Sequence, residues 1–159
     1  MTDLVKYPFT YKNENFITEI LSENKVLAFP TETVYGLGGN AFSKEVADRI
    51  YLIKQRPRNK PFPLLITLKW IKKLCLWNDP RIDNLIEAFW PGPLTLILKI
   101  NPDLPNHLKN QSGALAVRYS SSTIVQRLIE LGECPLIGTS ANRTSSPACI
   151  SAEDVRHNL

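Results

Sequence analysis

The segment from Lys54 to Pro61, with the sequence KQRPRNKP, contains four cationic side chains within seven residues and no acidic one. Pro57 and Pro61 restrict the backbone, and a guanidinium can meet phosphate oxygens with two parallel hydrogen bonds. This segment, here called the cationic strip, suits the phosphates of a nucleotide in an ATP-using enzyme. A solvated group of charges at a helix C-terminus, which the helix dipole favours, fits the same residues. No G-x-x-x-x-G-K-[ST] loop is present, so bound phosphates would mainly meet side-chain cations.

A second segment, from Phe29 to Gly38, breaks an apolar run at a proline and then offers two hydroxyls, a carboxylate and a phenol (FPTETVYGLG). These groups could hydrogen-bond a ligand. The alternative is a turn that ends a strand. In such a turn Thr31 and Thr33 hydrogen-bond the local backbone, and the glycines allow positive φ angles.

Two further segments place polar groups directly after short apolar runs. Arg118 ends the run Ala116-Val117 and could bind a carboxylate or phosphate, or form a surface ion pair. Gly138 to Asn142 (GTSAN) carries small residues that let a ligand approach the backbone, although an ordinary strand-to-loop transition has the same composition. Trp90, before the turn Pro91-Gly92-Pro93, is predicted to pack in the core, with a role covering one face of a ligand as the alternative.

Periodicity and turn signals predict the elements that must position these segments. Helices are predicted over 13–24, from the cap Ser43 to before Pro57, over 69–77, 81–90 and 123–131, and from Ser151 onward; strands are predicted over 26–29, 64–67, 94–100, 114–118 and 135–138. The alternation of strands and helices is typical of an α/β fold, a single domain over residues 1–159 with a twisted open sheet flanked by helices.

Composition limits the kinds of partner and site that are expected. The net charge of +4 favours anionic partners, and Cys75, Cys134 and Cys149 are spaced too widely for a zinc site. His107 and His157 lie far apart, which argues against a histidine triad or a metal cluster. No apolar run is long enough to cross a bilayer, and the N-terminus (MTDL) lacks a basic and then apolar stretch, so a cytoplasmic protein without a membrane partner is expected.

Taken in order, PTETVYGLG, KQRP, WPGPLT, LAVR and TSAN resemble the YrdC-type threonylcarbamoyl-AMP synthases, from Phe29 to about Val155. The resemblance implies an open α/β sheet around a large basic cavity. It also implies a nucleotidyltransferase that combines L-threonine, bicarbonate or CO2, and ATP into threonylcarbamoyl-AMP and pyrophosphate. That product supplies the t6A modification of tRNA at adenosine 37.

The resemblance assigns roles by motif position. Lys54 and Arg56 are the implied catalytic residues, and the threonine site is implied at Thr33, Arg118 and the Gly138 backbone. The implied ATP-binding residues are Lys54, Arg56, Lys60, Ser140 and Asn142. Mg²⁺ is expected to bridge phosphate oxygens without a metal site on the protein. The implied partners are tRNA or double-stranded RNA and the proteins that transfer the threonylcarbamoyl group.

The sequence departs from the family pattern in two places. Arg143-Thr144-Ser145-Ser146 stands where a small Ser-Gly pair is usual, and the chain is C-terminally short, without the Pro-Ser-x-[IV] segment expected near the ligand. An alternative function on the same fold is therefore a non-catalytic RNA-binding module. A carbamoyl-transfer domain of hydrogenase-maturation type is a third possibility, but its acylphosphatase and zinc-finger parts are not found in this sequence.

Overall fold

The structure, a computed structural model, describes residues 4–109 and 112–159. Met1 to Asp3, which contribute to the expectation about a signal sequence, lie outside the described residues. The helices are α1 (Tyr11–Ser22), α2 (Lys44–Lys54), α3 (Leu68–Leu74), α4 (Pro80–Phe89), α5 (Thr123–Gly132) and α6 (Ala152–Asn158), with a 3₁₀ turn at Asn106–Leu108. The strands are β1 (Leu27–Pro30), β2 (Tyr35–Gly38), β3 (Leu64–Leu65), β4 (Cys75–Leu76), β5 (Leu96–Ile100), β6 (Ala114–Arg118), β7 (Leu136–Ile137) and β8 (Thr139–Ser140).

Side-chain caps fix where the helices begin. The hydroxyl of Ser43 accepts from the amide of Val46 at the start of α2, and Ser151 and Asp154 form a reciprocal capping box at the start of α6. At its other end α2 stops at Lys54, where Gln55 takes a left-handed conformation with φ of 51°. The rest of the cationic strip leaves the helix as a loop with a turn of its own, in which the amide of Lys60 donates to the carbonyl of Pro57 (3.1 Å).

The strands form two sheets. The smaller is antiparallel in the order β1-β2-β8, and the larger is mixed in the order β4-β5-β6-β3-β7, with β3 parallel to β6. The sheets meet where the amide of Ile137 on β7 donates to the carbonyl of Gly39, just after β2 (2.9 Å). The ends of β2, β6, β7 and β8 are thereby brought to one region of the molecule.

Two clusters of buried side chains form the core. The larger one covers the five-stranded sheet and includes Ile50, Ile66 and Val117, each fully buried. The smaller one packs α1 and α5 against β1 and β7, around Ile129 and Leu136. Burial of these apolar groups holds the sheets and helices in fixed relation.

The predicted α/β fold is confirmed, and the observed differences concern short strands. Residues 35–38 were predicted as loop but form β2, and the helix predicted over 69–77 ends at Leu74 because Cys75–Leu76 pair with β5. The strand predicted over 135–138 is observed as the shorter β7, and β8, which directly follows it in the other sheet, was not predicted. Trp90 packs in the core, as predicted, and donates to the carbonyl of Leu94 at 2.7 Å.

No helix in the described part of the chain has both the length and the apolar character needed to cross a membrane.

Candidate functional site

A small cleft of about 60 Å³, partly open to solvent, lies where the two sheets meet. Its lining comes from the β1–β2 turn, from β2 and β3, from the end of β6 and from β7–β8: Thr31, Thr33, Val34, Tyr35, Gly36, Leu65, Arg118, Gly138, Thr139 and Ser140. Hydroxyl groups, backbone and one guanidinium thus share a concave surface. Such a set suits a small polar ligand with a carboxylate or phosphate.

The turn between β1 and β2 is held by its own threonine. The hydroxyl of Thr31 donates to the carbonyl of Val34 (2.7 Å) and accepts from the amides of Thr33 and Val34. This is the local turn considered from the sequence, yet it also exposes the Thr33 side chain at the cleft. The two interpretations of this segment are therefore compatible.

Arg118 and Glu32 form a half-buried ion pair beside the cleft. Oε1 of Glu32 accepts from Nε (3.0 Å) and Nη2 (2.5 Å) of Arg118, and Oε2 accepts from the hydroxyl of the fully buried Ser120. Burial raises the pKa of Glu32, but the hydrogen bonds from Ser120 and Arg118 outweigh it, so the pKa lies below its ordinary value. Glu32 is therefore an anion at neutral pH.

Lys54 turns inward from the end of α2. The residue is only 2% exposed. Its ammonium donates to the backbone carbonyls of Ser140 (2.5 Å) and Asn142 (2.6 Å) and to the side-chain amide oxygen of Asn142 (3.3 Å). Burial, with the charge of Arg56 nearby, lowers the pKa of Lys54 to about 8. Lys54 thus ties the start of the cationic strip to the segment after β8.

The rest of the cationic strip lies nearer the surface. Arg56 donates from Nε to the carbonyl of Lys60 (2.9 Å) and stacks over the ring of Phe62 at 5.3 Å. Arg58 pairs with Asp48 of α2, so its charge is compensated from outside the strip. Because of this pair, Arg56 and Lys60 are better placed than Arg58 to bind an incoming anion.

Gly138 sits where no larger residue fits without movement. A Cβ on Gly138 would lie 2.3 Å from the side chain of Leu65, so the glycine lets β7 and β8 line the cleft with backbone. Its own amide donates to the carbonyl of Pro63 at 2.9 Å. A ligand that contacts Gly138 would therefore meet its other backbone atoms.

The residues predicted from the sequence divide into three groups. Thr33, Arg118, Gly138 and Ser140 line the cleft, and Asn142 and Lys54 are joined to Ser140 by hydrogen bonds. Arg56 and Lys60 lie outside the cleft lining, on the adjoining loop. Their roles toward threonine and ATP stay predictions.

No role was predicted for two residues that shape the site, Glu32 and Ser120. Glu32 was noted only as one polar group in its segment. A signal existed, because it is the single acid in a turn that leads into the cleft and faces an arginine at a strand end. Ser120 had no such signal, since a serine two residues after a strand is common.

The family comparison covers most of the chain. The sequence model of the Sua5, YciO and YrdC family, described as "Telomere recombination", matches residues 19–159. A threonylcarbamoyl-AMP synthase of Pyrococcus abyssi is 38% identical over 136 residues, which are 85% of this chain and 40% of that protein. A threonylcarbamoyl-AMP synthase of Sodalis glossinidius is 36% identical over 143 residues, which are 87% of this chain and 75% of that protein.

A solved structure shares the fold closely. The crystal structure of P. abyssi Sua5 complexed with L-threonine superposes with a TM-score of 0.89 at 33% identity, over 97% of this chain and 46% of that one. The chain therefore spans less than half of this relative and three quarters of the shorter one from S. glossinidius.

Proposed function

Because this chain belongs to the Sua5, YciO and YrdC family, we propose that it makes threonylcarbamoyl-AMP and pyrophosphate from L-threonine, bicarbonate or CO2, and ATP. One observation carries the proposal. Thr33, Arg118, Gly138 and Ser140 converge on a single cleft, in a chain similar to a protein whose structure holds L-threonine. A hydroxyl, a guanidinium and backbone match the hydroxyl, carboxylate and amine of that amino acid.

The reaction needs two bond-forming steps. The neutral amine of threonine reacts with bicarbonate, forming a carbamate with loss of water. A carbamate oxygen then attacks the α-phosphorus of ATP, the bond to the bridging oxygen breaks, and pyrophosphate leaves. Neither step requires a covalent enzyme nucleophile, so the protein acts by positioning the reactants and stabilising charge.

In this proposal each predicted site residue binds or adjoins one of the substrates. Arg118 binds the α-carboxylate, while Thr33 and the Gly138 backbone contact the rest of threonine. Arg56 and Lys60 hold the phosphates, and Lys54 exchanges one of its carbonyl partners for a phosphate oxygen. Ser140 and Asn142, already hydrogen-bonded to Lys54, adjoin the nucleotide.

Mg²⁺ is the expected companion of ATP. In the described part of the chain no group of three His, Cys, Asp or Glu side chains could hold a metal ion, and Glu32 is already occupied by Arg118 and Ser120. These residues do not make a metal site, so we propose that Mg²⁺ arrives on the phosphates. No step above depends on it.

The product defines the partners. A mixed anhydride of a carbamate and AMP is an activated acyl donor, so the proposal includes proteins that transfer the threonylcarbamoyl group to tRNA. We place this activity in the cytoplasm, where tRNA, ATP and threonine meet.

The experiment measures pyrophosphate release and adenylate formation by the purified chain with threonine, bicarbonate and ATP. Arg56→Ala should reduce the threonine-dependent rate by about 100-fold, since a cation that stabilises the transferring phosphate is lost. Arg49→Ala removes an arginine of α2 that donates to the Asn24 carbonyl and does not line the cleft, and it should leave the rate unchanged.

The proposal fails if the unaltered chain releases no more pyrophosphate than Arg56→Ala. Salt-dependent RNA binding without ATP binding would then favour the RNA-binding module instead.

A further inference from the structure

We propose that Glu32, supported by Ser120, is a positioning residue that holds the guanidinium of Arg118 ready for the α-carboxylate of threonine. This inference rests on the proposed function, because it takes Arg118 as the carboxylate-binding group. It adds a role for a carboxylate that has no part in the proposed reaction steps.

The carboxylate of Glu32 is fixed through both of its oxygens. Oε1 accepts from Nε and Nη2 of Arg118, and Oε2 accepts from Ser120, which is fully buried. The side chains of Arg118 and Glu32 are only 17% and 16% exposed. With both oxygens engaged away from bulk water, the carboxylate has little freedom to rotate.

One edge of the guanidinium is left for a ligand. Glu32 takes the edge formed by Nε and Nη2, and Nη2 also donates to the hydroxyl of Thr33 at 3.3 Å. Among the described residues none accepts a hydrogen bond from Nη1, and Arg118 lines the cleft. Nη1 can therefore meet a carboxylate directly, and Nη2 can join it on the same edge by giving up its long hydrogen bond to Thr33.

The loops that carry the pair are joined to each other. The hydroxyl of Ser122 donates to the carbonyl of Pro30 (3.0 Å), and the side-chain amide of Gln126 donates to the carbonyl of Ser120 (2.9 Å). The end of β1 and the segment after β6 are therefore held to each other and to α5. A flexible arginine loses rotamer freedom when it binds a ligand, and a scaffold that fixes it beforehand lowers that cost.

Positioning and simple charge predict opposite effects. If Glu32 acted only through its charge, it would compete with the ligand carboxylate, and its removal would tighten threonine binding. If Glu32 orients Arg118, its removal frees the guanidinium and weakens binding. The sign of the change separates these accounts.

The test measures the dissociation constant of L-threonine by calorimetry for three proteins: the unaltered chain, Glu32→Ala and Glu32→Gln. Glu32→Ala should weaken binding about 10- to 100-fold, the usual effect of losing a group that orients a ligand-binding side chain. Glu32→Gln should stay within about threefold, because its amide oxygen can still accept from Arg118 while its NH2 donates to Ser120. In turnover, Glu32→Ala should raise KM for threonine with little change in kcat.

Glu14→Ala is the matched control. Glu14 accepts from Nε and Nη2 of Arg127 through one oxygen, as Glu32 does from Arg118, but that pair joins α1 to α5 outside the cleft. Its loss should leave threonine binding unchanged. Circular dichroism of each variant confirms that it is folded.

Equal or tighter threonine binding by Glu32→Ala overturns the inference, as does equal weakening by Glu32→Ala and Glu32→Gln. Arg118→Ala separates the two levels of the argument. If Arg118→Ala binds threonine normally, the proposed carboxylate site is wrong and the inference fails with it. If Arg118→Ala loses threonine and Glu32→Ala does not, the site stands and only the role of Glu32 fails.

Discussion

Lys54 is the one charged residue that is buried in the described part of the chain. A buried ammonium is unfavourable unless oxygen atoms replace its water, and here two carbonyls and an amide oxygen do so. The carbonyl of Lys54 in turn accepts from the amide and hydroxyl of Thr144. Lys54 is thus a structural tie across the candidate site as well as a proposed phosphate ligand.

Replacing Lys54 by methionine should lower the free energy of unfolding by about 2 kcal/mol, because the carbonyls of Ser140 and Asn142 would lose their buried donor. Urea denaturation measures this change. Lys44→Met is the control, since Lys44 lies on the same helix with an exposed ion pair to Asp48, and its loss should cost about 0.5 kcal/mol or less. Equal effects of the two substitutions would contradict the structural role of Lys54.

At the residue scale, the sequence predicted several residues that line the cleft, but it did not predict the contacts of their side chains. Arg118 at a strand end and the small residues after Ile137 were predicted to face a ligand, and both line the cleft. The inward turn of Lys54 and the partner of Arg118 could not be predicted. Each depends on a residue 86 positions away, and local spacing carries no information about such pairs.

Among the elements, β2 shows how tertiary contacts override local preference. Two glycines in four residues argue against a strand, because glycine loses more backbone entropy than other residues and adds no side-chain packing. In the structure a Cβ on Gly38 would lie 1.8 Å from the carbonyl oxygen of Ile137. Glycine is therefore required where β2 approaches β7, and the sequence could not reveal this because the contact joins distant segments.

Gly38→Ala should destabilise the protein by about 3 kcal/mol or more, since the added methyl meets rigid backbone that cannot move aside. Thermal and urea denaturation measure the loss. Gly113→Ala provides the comparison: nothing lies within 4 Å of its Cβ, and only its φ of 66° disfavours alanine, at a cost of about 1 kcal/mol. If Gly38→Ala were as mild as Gly113→Ala, the close approach of the sheets would be wrong.

The longer elements were predicted well, for a physical reason. Helices such as α2 and α5 bury one face, so their apolar residues recur with helical spacing and their serine caps mark the start. Strands of two residues, such as β4 and β8, are too short to show any period. Their existence depends on neighbours supplied by other parts of the chain.

At the scale of the whole molecule, one sheet was predicted and two are present. The division falls at Gly138, between β7 and β8. Within five consecutive residues the chain passes from the five-stranded sheet, which contains β7, to the three-stranded sheet, which contains β8. Strand order was beyond the sequence, since β3 lies between β6 and β7, both of which come much later in the chain. The cleft exists because of this division, which sets the turn after β1 against the end of β6.

The two core clusters are linked by the same side chains. Phe42 and Trp70 pack against both clusters, with ring centroids 5.8 Å apart. The sheets also share the hydrogen bond between Ile137 and Gly39. Neither cluster can lose its packing without exposing part of the other, so the two should unfold together.

We therefore expect a single cooperative transition in urea. Tryptophan fluorescence reports mainly the larger cluster, since Trp77 and Trp90 belong to it and Trp70 packs against both clusters. Far-ultraviolet circular dichroism includes α1 and α5 of the smaller cluster. The two curves should coincide, and saturating L-threonine should shift both midpoints upward by the same amount, because a ligand bound between the sheets stabilises the whole cooperative unit. Loss of helical signal at lower urea than the fluorescence change would show instead that α1 and α5 unfold separately. A threonine shift confined to one probe would place its site on one sheet and not in the cleft between them.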